Sequence, residues 1–202
     1  AKFFALAWEA GGGGSMLVHP LAKTGKQASN IPLVAGHKAA VLDVAFSPFN
    51  DNIVCSVSED GTAKIWQVPD DGFTATQMQS DAVQTLVGHR RKVGTVQFNP
   101  VAENVLATSS TDYTVKLWDI ETGDAKLSID GKHADIINDV NWNYDGSLLA
   151  TACKDKKTRV IDPRSGDVVQ EWMAHEGIKG SRVIWCGKSN RRRSRTAGWK
   201  IR

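Results

Sequence analysis

The chain has 202 residues, of which 41% are hydrophobic and 23% are charged, as is ordinary for a folded globular protein. It contains no run of about 18 apolar residues, and its start, AKFFALAWEAGGGG, lacks the basic and cleavage-site pattern of a signal peptide. We therefore expect no membrane span and a cytoplasmic location. Cys55, Cys153 and Cys186 lie far apart without CxxC spacing, which argues against a disulfide framework and against a zinc site.

The net charge of +3 comes from one end of the chain. Residues 188–202 contain seven Lys or Arg and no acidic residue, whereas residues 1–187 carry a net charge of −4. A nucleic-acid-binding domain usually spreads its positive charge over the fold, so we expect no nucleic-acid partner. The segment 188–202, including NRRRSR, is interpreted as a basic tail from a truncated unit.

Polar residues recur at fixed distances before a tryptophan. Asp60, Ser56 and His37 lie 6, 10 and 29 residues before Trp66. The same offsets precede Trp118, at Asp112, Thr108 and His89, and nearly the same offsets precede Ile161, at Asp155, Thr151 and His133. A repeat with a period of about 40 to 45 residues is typical of a propeller or a solenoid.

The residues between these markers have the pattern of short strands. VLDVAF (41–46), VGTVQF (93–98) and INDVNW (137–142) alternate between two faces, and turn-forming sequences such as EDG, TDY and ETGD separate the runs. Each unit is therefore predicted to be a four-stranded antiparallel meander. A single meander cannot bury both faces of its sheet, so the units are expected to pack radially as the blades of an all-β propeller.

The repeated polar set is interpreted as a structural hydrogen-bond network. An Asp in the turn between the second and third strands needs donors, and a His from the loop leading into the blade can supply one. A catalytic triad or metal ligands are disfavoured, because the set recurs blade after blade instead of once in a pocket. The predicted network comprises His37, Ser56, Asp60, Trp66, His89, Thr108, Asp112, Trp118, His133, Thr151 and Asp155.

Gly36-His37 to Trp66 and Gly88-His89 to Trp118-Asp119 resemble the WD-repeat family in order and spacing. More narrowly, residues 14–26, 36–52, 133–149 and especially ACKDKKTRVIDPRSGDVVQEWMAHEG (152–177) resemble the coronin family. That resemblance implies a seven-bladed propeller that binds actin filaments, with the actin-related-protein nucleation complex as a further partner. It also places a basic segment before residue 1 and an oligomerising coiled coil after residue 202.

By this resemblance the chain holds about four blades of a seven-bladed ring, and we interpret it as a fragment. Oligomerisation is expected only through the segments that the resemblance places outside this chain. The expected organisation is an incomplete propeller at 1–187, made of a blade remnant at 3–35, blades at 36–87, 88–130 and 131–174, and the start of another at 175–187, where His175 opens a unit.

The charges of the turns are predicted to divide between the two ends of the blades. The loop leading into a blade and its second turn share one end, and basic residues dominate there; acidic residues dominate the first and third turns at the other end. A basic end suits an acidic partner such as an actin filament. The candidate partner-binding residues are Lys38, Arg90, Arg91, Lys92, Lys154, Lys156 and Lys157.

The function predicted from the resemblance is that of an actin-filament-binding scaffold which regulates the actin cytoskeleton and filament turnover. The alternative is a generic WD-repeat interaction scaffold in trafficking, ubiquitin transfer or RNA processing. We expect no enzymatic activity and no cofactor, because no unpaired acid or nucleophile stands out from the repeats. The run Gly11 to Gly14 separates two strands and lacks a following Lys-Ser or Lys-Thr, so it is interpreted as a hairpin turn, not a phosphate loop.

Overall fold

The computed structural model of the chain describes residues 1–8, 13–26, 30–174 and 180–186. Within these ranges the regular structure is sixteen β-strands and a single 3₁₀ turn at Gln79–Asp81. The prediction of an all-β fold is confirmed. The predicted basic tail, His175, and Gly11 and Gly12 of the glycine turn lie outside the described residues. No described helix has the length and apolarity needed to cross a membrane.

The strands form four sheets of four strands each. The first sheet contains β1 (Phe3–Trp8), β2 (Ser15–Pro20), β3 (Val34–Ala35) and β7 (Gln77–Met78). The second contains β4 (Val41–Phe46), β5 (Ile53–Ser58), β6 (Thr62–Gln67) and β8 (Gln84–Val87). The third contains β9 (Val93–Phe98), β10 (Val105–Ser110), β11 (Val115–Asp119) and β12 (Ala125–Ile129). The fourth contains β13 (Ile137–Trp142), β14 (Leu149–Cys153), β15 (Lys157–Ile161) and β16 (Val168–Met173).

The second, third and fourth sheets are antiparallel meanders, as expected from the repeat. Their first strands lie side by side: β9 contacts both β4 and β13. The first sheet differs, since its last strand, β7, comes from the connection between β6 and β8 and pairs in parallel with β3. The repeat predicted a single blade at residues 36–87, and the pairing of β7 with the first sheet departs from that prediction.

The hydrophobic core lies between consecutive sheets, and each interface has its own cluster. Met16 and Val18 of the first sheet pack with Val54 and Trp66 of the second. Equivalent clusters join the second sheet to the third around Leu106 and Trp118, and the third to the fourth around Leu117, Ile129 and Leu149. Sheets that bury both faces in this way form the radial stack of a partial propeller.

The first strands of the blades do not alternate strictly between two faces. The register shifts between Val41 and Asp43 and again between Ile137 and Asp139, as in a β-bulge. In β13 the buried positions are Ile137, Asp139, Val140 and Trp142. The strict alternation predicted for these strands is wrong at this point, because the extra residue of the bulge shifts the alternation and brings Ile137 and Val140 into one cluster, whereas Asp139 bonds to Val183.

The residue after the network Asp adopts a left-handed backbone in all three complete blades. This residue is Gly61 in the second sheet, with φ of 82°, but Tyr113 in the third and Lys156 in the fourth, each with φ of 70°. Glycine tolerates this conformation freely, whereas other L-residues are strained by about 1 kcal/mol.

Replacing Lys156 with glycine is therefore expected to raise the free energy of unfolding by about 1 kcal/mol, because it removes this strain. Urea unfolding followed by tryptophan fluorescence measures the change. Lys154→Gly, in the same turn but without a positive φ, is the control and is expected to give no gain. A Lys156→Gly protein no more stable than the parent would contradict the prediction.

Candidate partner-binding surface

A chain of hydrogen bonds crosses the second sheet from its core to one end. Trp66 Nε1 donates to Ser56 Oγ at 2.9 Å, and Ser56 Oγ lies 2.7 Å from His37 Nε2. His37 Nδ1 lies 3.0 Å from Asp60 Oδ2. Because the serine oxygen already accepts from Trp66, its hydroxyl can donate to Nε2, which leaves the Nδ1–H of a neutral imidazole to donate to the Asp60 carboxylate.

Asp60 also joins the loop that leads into the blade to the second turn. Its Oδ2 accepts the Lys38 N–H at 2.9 Å, and its Oδ1 accepts the N–H and hydroxyl of Thr62 at 2.9 and 2.6 Å. Burial by itself raises the pKa of Asp60, but the hydrogen bonds from His37, Thr62 and Lys38 outweigh it and hold the pKa below its ordinary value. The carboxylate is therefore ionised and acts as a fixed acceptor.

The third sheet repeats this geometry. Trp118 Nε1 donates to Thr108 Oγ1 at 2.8 Å, Thr108 Oγ1 lies 2.8 Å from His89 Nε2, and His89 Nδ1 lies 3.1 Å from Asp112 Oδ2. Burial opposes ionisation of Asp112, yet donors from Arg90, Thr114 and His89 lower its pKa to about 2. Burial lowers the pKa of His89, which favours the neutral imidazole that this chain of bonds requires.

The fourth sheet departs from the predicted network. His133 Nε2 still lies 2.8 Å from Thr151 Oγ1, but Ile161 stands where the other blades have tryptophan. The Asp155 carboxylate bonds to the guanidinium of Arg159 at 2.6 Å instead of to the imidazole. His133 Nδ1 consequently has no hydrogen-bond partner among the described residues. Burial, followed by the nearby Arg159 charge, lowers the pKa of His133 to about 4.

Sequence analysis missed a basic residue that recurs on the third strand of each blade. Lys64, Lys116 and Arg159 each lie two positions before Trp66, Trp118 or Ile161. Lys64 Nζ donates to Thr85 Oγ1 at 2.9 Å, Lys116 Nζ donates to Ser128 Oγ at 2.7 Å, and Arg159 binds Asp155 and Glu171. The fixed offset was a sequence signal for this row. Only in the fourth sheet is the residue arginine, whose two-pronged head reaches two carboxylates at once.

Backbone hydrogen bonds hold the leading loop and the second turn of each blade together at one end. Glu59 N–H donates to the Ala40 carbonyl, Thr111 N–H to the Lys92 carbonyl, and Lys154 N–H to the Ile136 carbonyl, at 2.8 to 3.0 Å. The candidate cations are carried by these segments. The surface is named the basic end, and its residues are Lys38, Arg90, Arg91, Lys92, Lys154, Lys156 and Lys157.

Two cations of the basic end are neutralised inside the chain. Lys92 Nζ lies 3.4 Å from Glu59, and Lys157 Nζ lies 2.6 Å from Glu171. The other five make no ion pair with any described residue, and all but the half-buried Lys156 are exposed. The five open cations are Lys38, Arg90, Arg91, Lys154 and Lys156.

The opposite end carries acids that pair in part with nearby cations. Lys2 bonds to Asp70 at 2.8 Å, and Lys126 lies 3.5 Å from Asp119. One pair crosses the expected division of charge, because Lys132 Nζ, from a loop leading into a blade, lies 3.6 Å from Asp167 in a third turn. The third turn of the fourth sheet packs beside the last strand of the third sheet, since a Cβ added to Gly166 would lie 3.6 Å from Leu127. The side chain of Lys132 can therefore extend from one end of the blades to an acid of the other.

The described residues contain no group of three or more His, Cys, Asp or Glu side chains placed to hold a metal ion. The histidines lie on successive blades, and His37 and His89 are each held by a hydroxyl and a carboxylate of their own blade. What this end offers is a rigid set of loops with open positive charges.

Three family models match segments of the chain. The model described as WD domain, G-beta repeat matches residues 29–67 and 80–119. A domain of unknown function matches residues 1–26, and the WD40 domain of anaphase-promoting complex subunit 4 matches residues 128–187.

Several coronins are similar to the chain over most of its length. The coronin-like protein of Saccharomyces cerevisiae is 45% identical over 197 residues, covering 94% of this chain and 30% of the yeast protein. Coronin-A of Dictyostelium discoideum is 50% identical over 184 residues, covering 91% of this chain and 40% of that protein. Human coronin-2A is 41% identical over 205 residues, covering 99% of this chain and 38% of the human protein.

A solved structure shows the same arrangement of sheets. The WD40 domain of Toxoplasma gondii coronin superposes with a TM-score of 0.83 at 32% identity, covering 91% of this chain and 46% of that one. The chain spans 30% to 40% of the length of the curated relatives named above. With the His, Ser/Thr, Asp and Trp network repeated in the second and third of four radially packed sheets, these likenesses show a coronin-like WD-repeat protein.

Proposed function

We propose that this chain is part of a coronin-like scaffold that binds actin filaments through its basic end and regulates filament organisation and turnover. The family resemblance adds a further partner to the proposal, the actin-related-protein nucleation complex. It also implies a location in the cytoplasm, at the actin cytoskeleton. The observation that carries the proposal is the set of open cations at one end of consecutive blades.

The basic end has the properties expected of a docking surface for an acidic polymer. Its backbone is held by the Asp60 and Asp112 networks, so the loops that carry the cations need little ordering on binding. Actin filaments are strongly acidic, and opposite charge accelerates encounter and makes affinity decrease with salt.

Charge reversal of two open cations tests the proposal. Arg90→Glu with Arg91→Glu is expected to weaken cosedimentation with actin filaments by about tenfold or more at low salt, because attraction is replaced by repulsion at the centre of the surface. The affinity of the parent protein is expected to decrease as salt is raised, and the variant is expected to show a shallower decrease.

Lys26→Glu with Arg164→Glu is the matched control. Both residues are exposed, lie in the turns before β3 and β16 at the opposite end, and produce the same change in net charge. This control is expected to retain filament binding. Equal loss in both double variants would show a nonspecific charge effect, and undiminished binding by the Arg90 and Arg91 variant would overturn the proposal.

A further inference from the structure

A cavity of about 510 Å³ opens at the basic end between the third and fourth sheets. Its wall on the third sheet includes Arg90, Tyr113 and Lys116. Its other wall is the loop leading into the fourth sheet, with Asp130 and His133. The cavity therefore lies within the surface proposed to bind the filament.

His133 in this wall lacks the partner that its counterparts have. The Nδ1 atoms of His37 and His89 each lie within 3.1 Å of an Asp carboxylate, but Arg159 holds the carboxylate of Asp155 away from His133. His133 is only 6% exposed, and its Nδ1 has no partner among the described residues. Because this atom is buried near Arg159, His133 forms part of the cavity wall without offering the cavity a hydrogen-bond donor.

The other polar groups of the cavity favour an anion. The guanidinium of Arg90 makes no hydrogen bond or ion pair with a described residue, and Lys116 Nζ donates one hydrogen bond, to Ser128 Oγ. The Asp112 carboxylate is already occupied by donors from His89, Arg90 and Thr114. Asp130 Oδ1 accepts the Ser128 hydroxyl, and Asp130 is the acid of the wall whose second carboxylate oxygen accepts no hydrogen bond from a described residue.

The equivalent space between the second and third sheets is closed, and it provides a comparison. At the junction of the second and third sheets Lys64 is only 2% exposed, and a Cβ on Gly61 would lie 3.3 Å from the Arg91 carbonyl. His89 follows the end of β8 by two residues, whereas His133 follows the end of β12 by four. The longer loop leaves space in front of Lys116 that the second sheet does not leave in front of Lys64.

We infer that this cavity binds the carboxylate of an aspartate or glutamate side chain presented by the acidic protein that docks on the basic end. Arg90 and Lys116 supply the countercharge, and the walls formed by Tyr113 and by the loop with Gly131 and His133 confine the side chain that carries the carboxylate. The identification of the docking protein rests on the proposed function; the chemistry of the cavity does not.

Titration with a small probe tests the site without a filament. N-acetyl-glutamate-N-methylamide is expected to cause saturable amide shifts in ¹H–¹⁵N spectra at Tyr113, Thr114 and Gly131. The neutral glutamine analogue is expected to cause none at equal concentration. Lys116→Met and Arg90→Gln are each expected to weaken probe binding by about threefold, as for removal of one charged contact.

Lys64→Met is the matched control, because it removes the equivalent amine from the closed junction. It is expected to leave probe binding unchanged. Equal shifts with the glutamine analogue, or probe binding that Lys116→Met does not weaken, would overturn the inference. Spectra of each variant also report whether it remains folded.

Filament cosedimentation separates this inference from the proposed function. If both hold, Lys116→Met weakens filament binding by about threefold while Lys64→Met does not. Loss of binding in the Arg90 and Arg91 reversal, with no probe binding, would reject the cavity alone. Probe binding at the cavity without filament binding by the parent protein would reject the filament proposal alone.

Discussion

Replacing Asp112 with alanine is expected to lower the free energy of unfolding by about 3 kcal/mol or more. The carboxylate accepts bonds from His89 Nδ1, the Arg90 N–H, and the N–H and hydroxyl of Thr114. Each buried donor that loses its acceptor costs about 1–3 kcal/mol, and partial access of water reduces the sum. The loop that carries Arg90 would also lose its attachment to the second turn.

Urea unfolding measures this loss, with Asp124→Ala as the control. Asp124 lies in another turn of the same sheet, its side chain is 70% exposed, and its only ion pair with a described residue is to Lys126 at 3.7 Å. The control is expected to remain within about 0.5 kcal/mol of the parent. If Asp112→Ala were no less stable than Asp124→Ala, the network would not be a principal support of the blade.

Replacing Gly36 with alanine is expected to cost about 2 kcal/mol, by overpacking. A Cβ at this position would overlap Cη2 of Trp66 and lie 2.6 Å from Cζ2 of the same ring. Trp66 is 1% exposed and holds the Ser56 hydroxyl, so the ring cannot move without disturbing the hydrogen-bond chain. The Gly-His pair of the repeat thus has a steric reason as well as a polar one.

The other glycines of the chain provide graded controls. A Cβ at Gly88 would lie 3.0 Å from Trp118 Cη2, so Gly88→Ala is expected to cost less than Gly36→Ala. Gly94 has no atom within 4 Å of its added Cβ and no positive φ, so Gly94→Ala is expected to be nearly neutral. Thermal or urea unfolding of the three variants measures the order, and a cost for Gly94→Ala equal to that for Gly36→Ala would contradict the steric explanation.

Sequence reasoning succeeded where one residue type performs one local task in every repeat. The offsets before Trp66 and Trp118 predicted blades because a buried indole N–H, a hydroxyl, an imidazole and a carboxylate satisfy one another only in that order. The turns and the confirmed all-β fold followed from the same periodicity. These features depend on short-range chemistry that repetition makes visible.

Prediction from the sequence failed for features that depend on a distant side chain or on a backbone adjustment. Asp155 bonds to Arg159 instead of to His133. Arg159 also binds Glu171, and only the pairing of β15 with β16 brings these two residues together. The bulges change which side chains are buried without leaving a sequence signal. The parallel pairing of β7 needs the position of a neighbouring blade, which no local pattern supplies.

The pairing of β7 with the first sheet has a consequence for biosynthesis. The outer edge of the first sheet receives its last strand from Gln77–Met78, more than forty residues after β3, and Gln77 N–H bonds to the Leu33 carbonyl at 2.8 Å. A chain that emerges from the ribosome amino end first therefore cannot finish its first sheet until most of the second has been translated. The two sheets are expected to mature as one cotranslational unit, with the later sheets added to it one at a time.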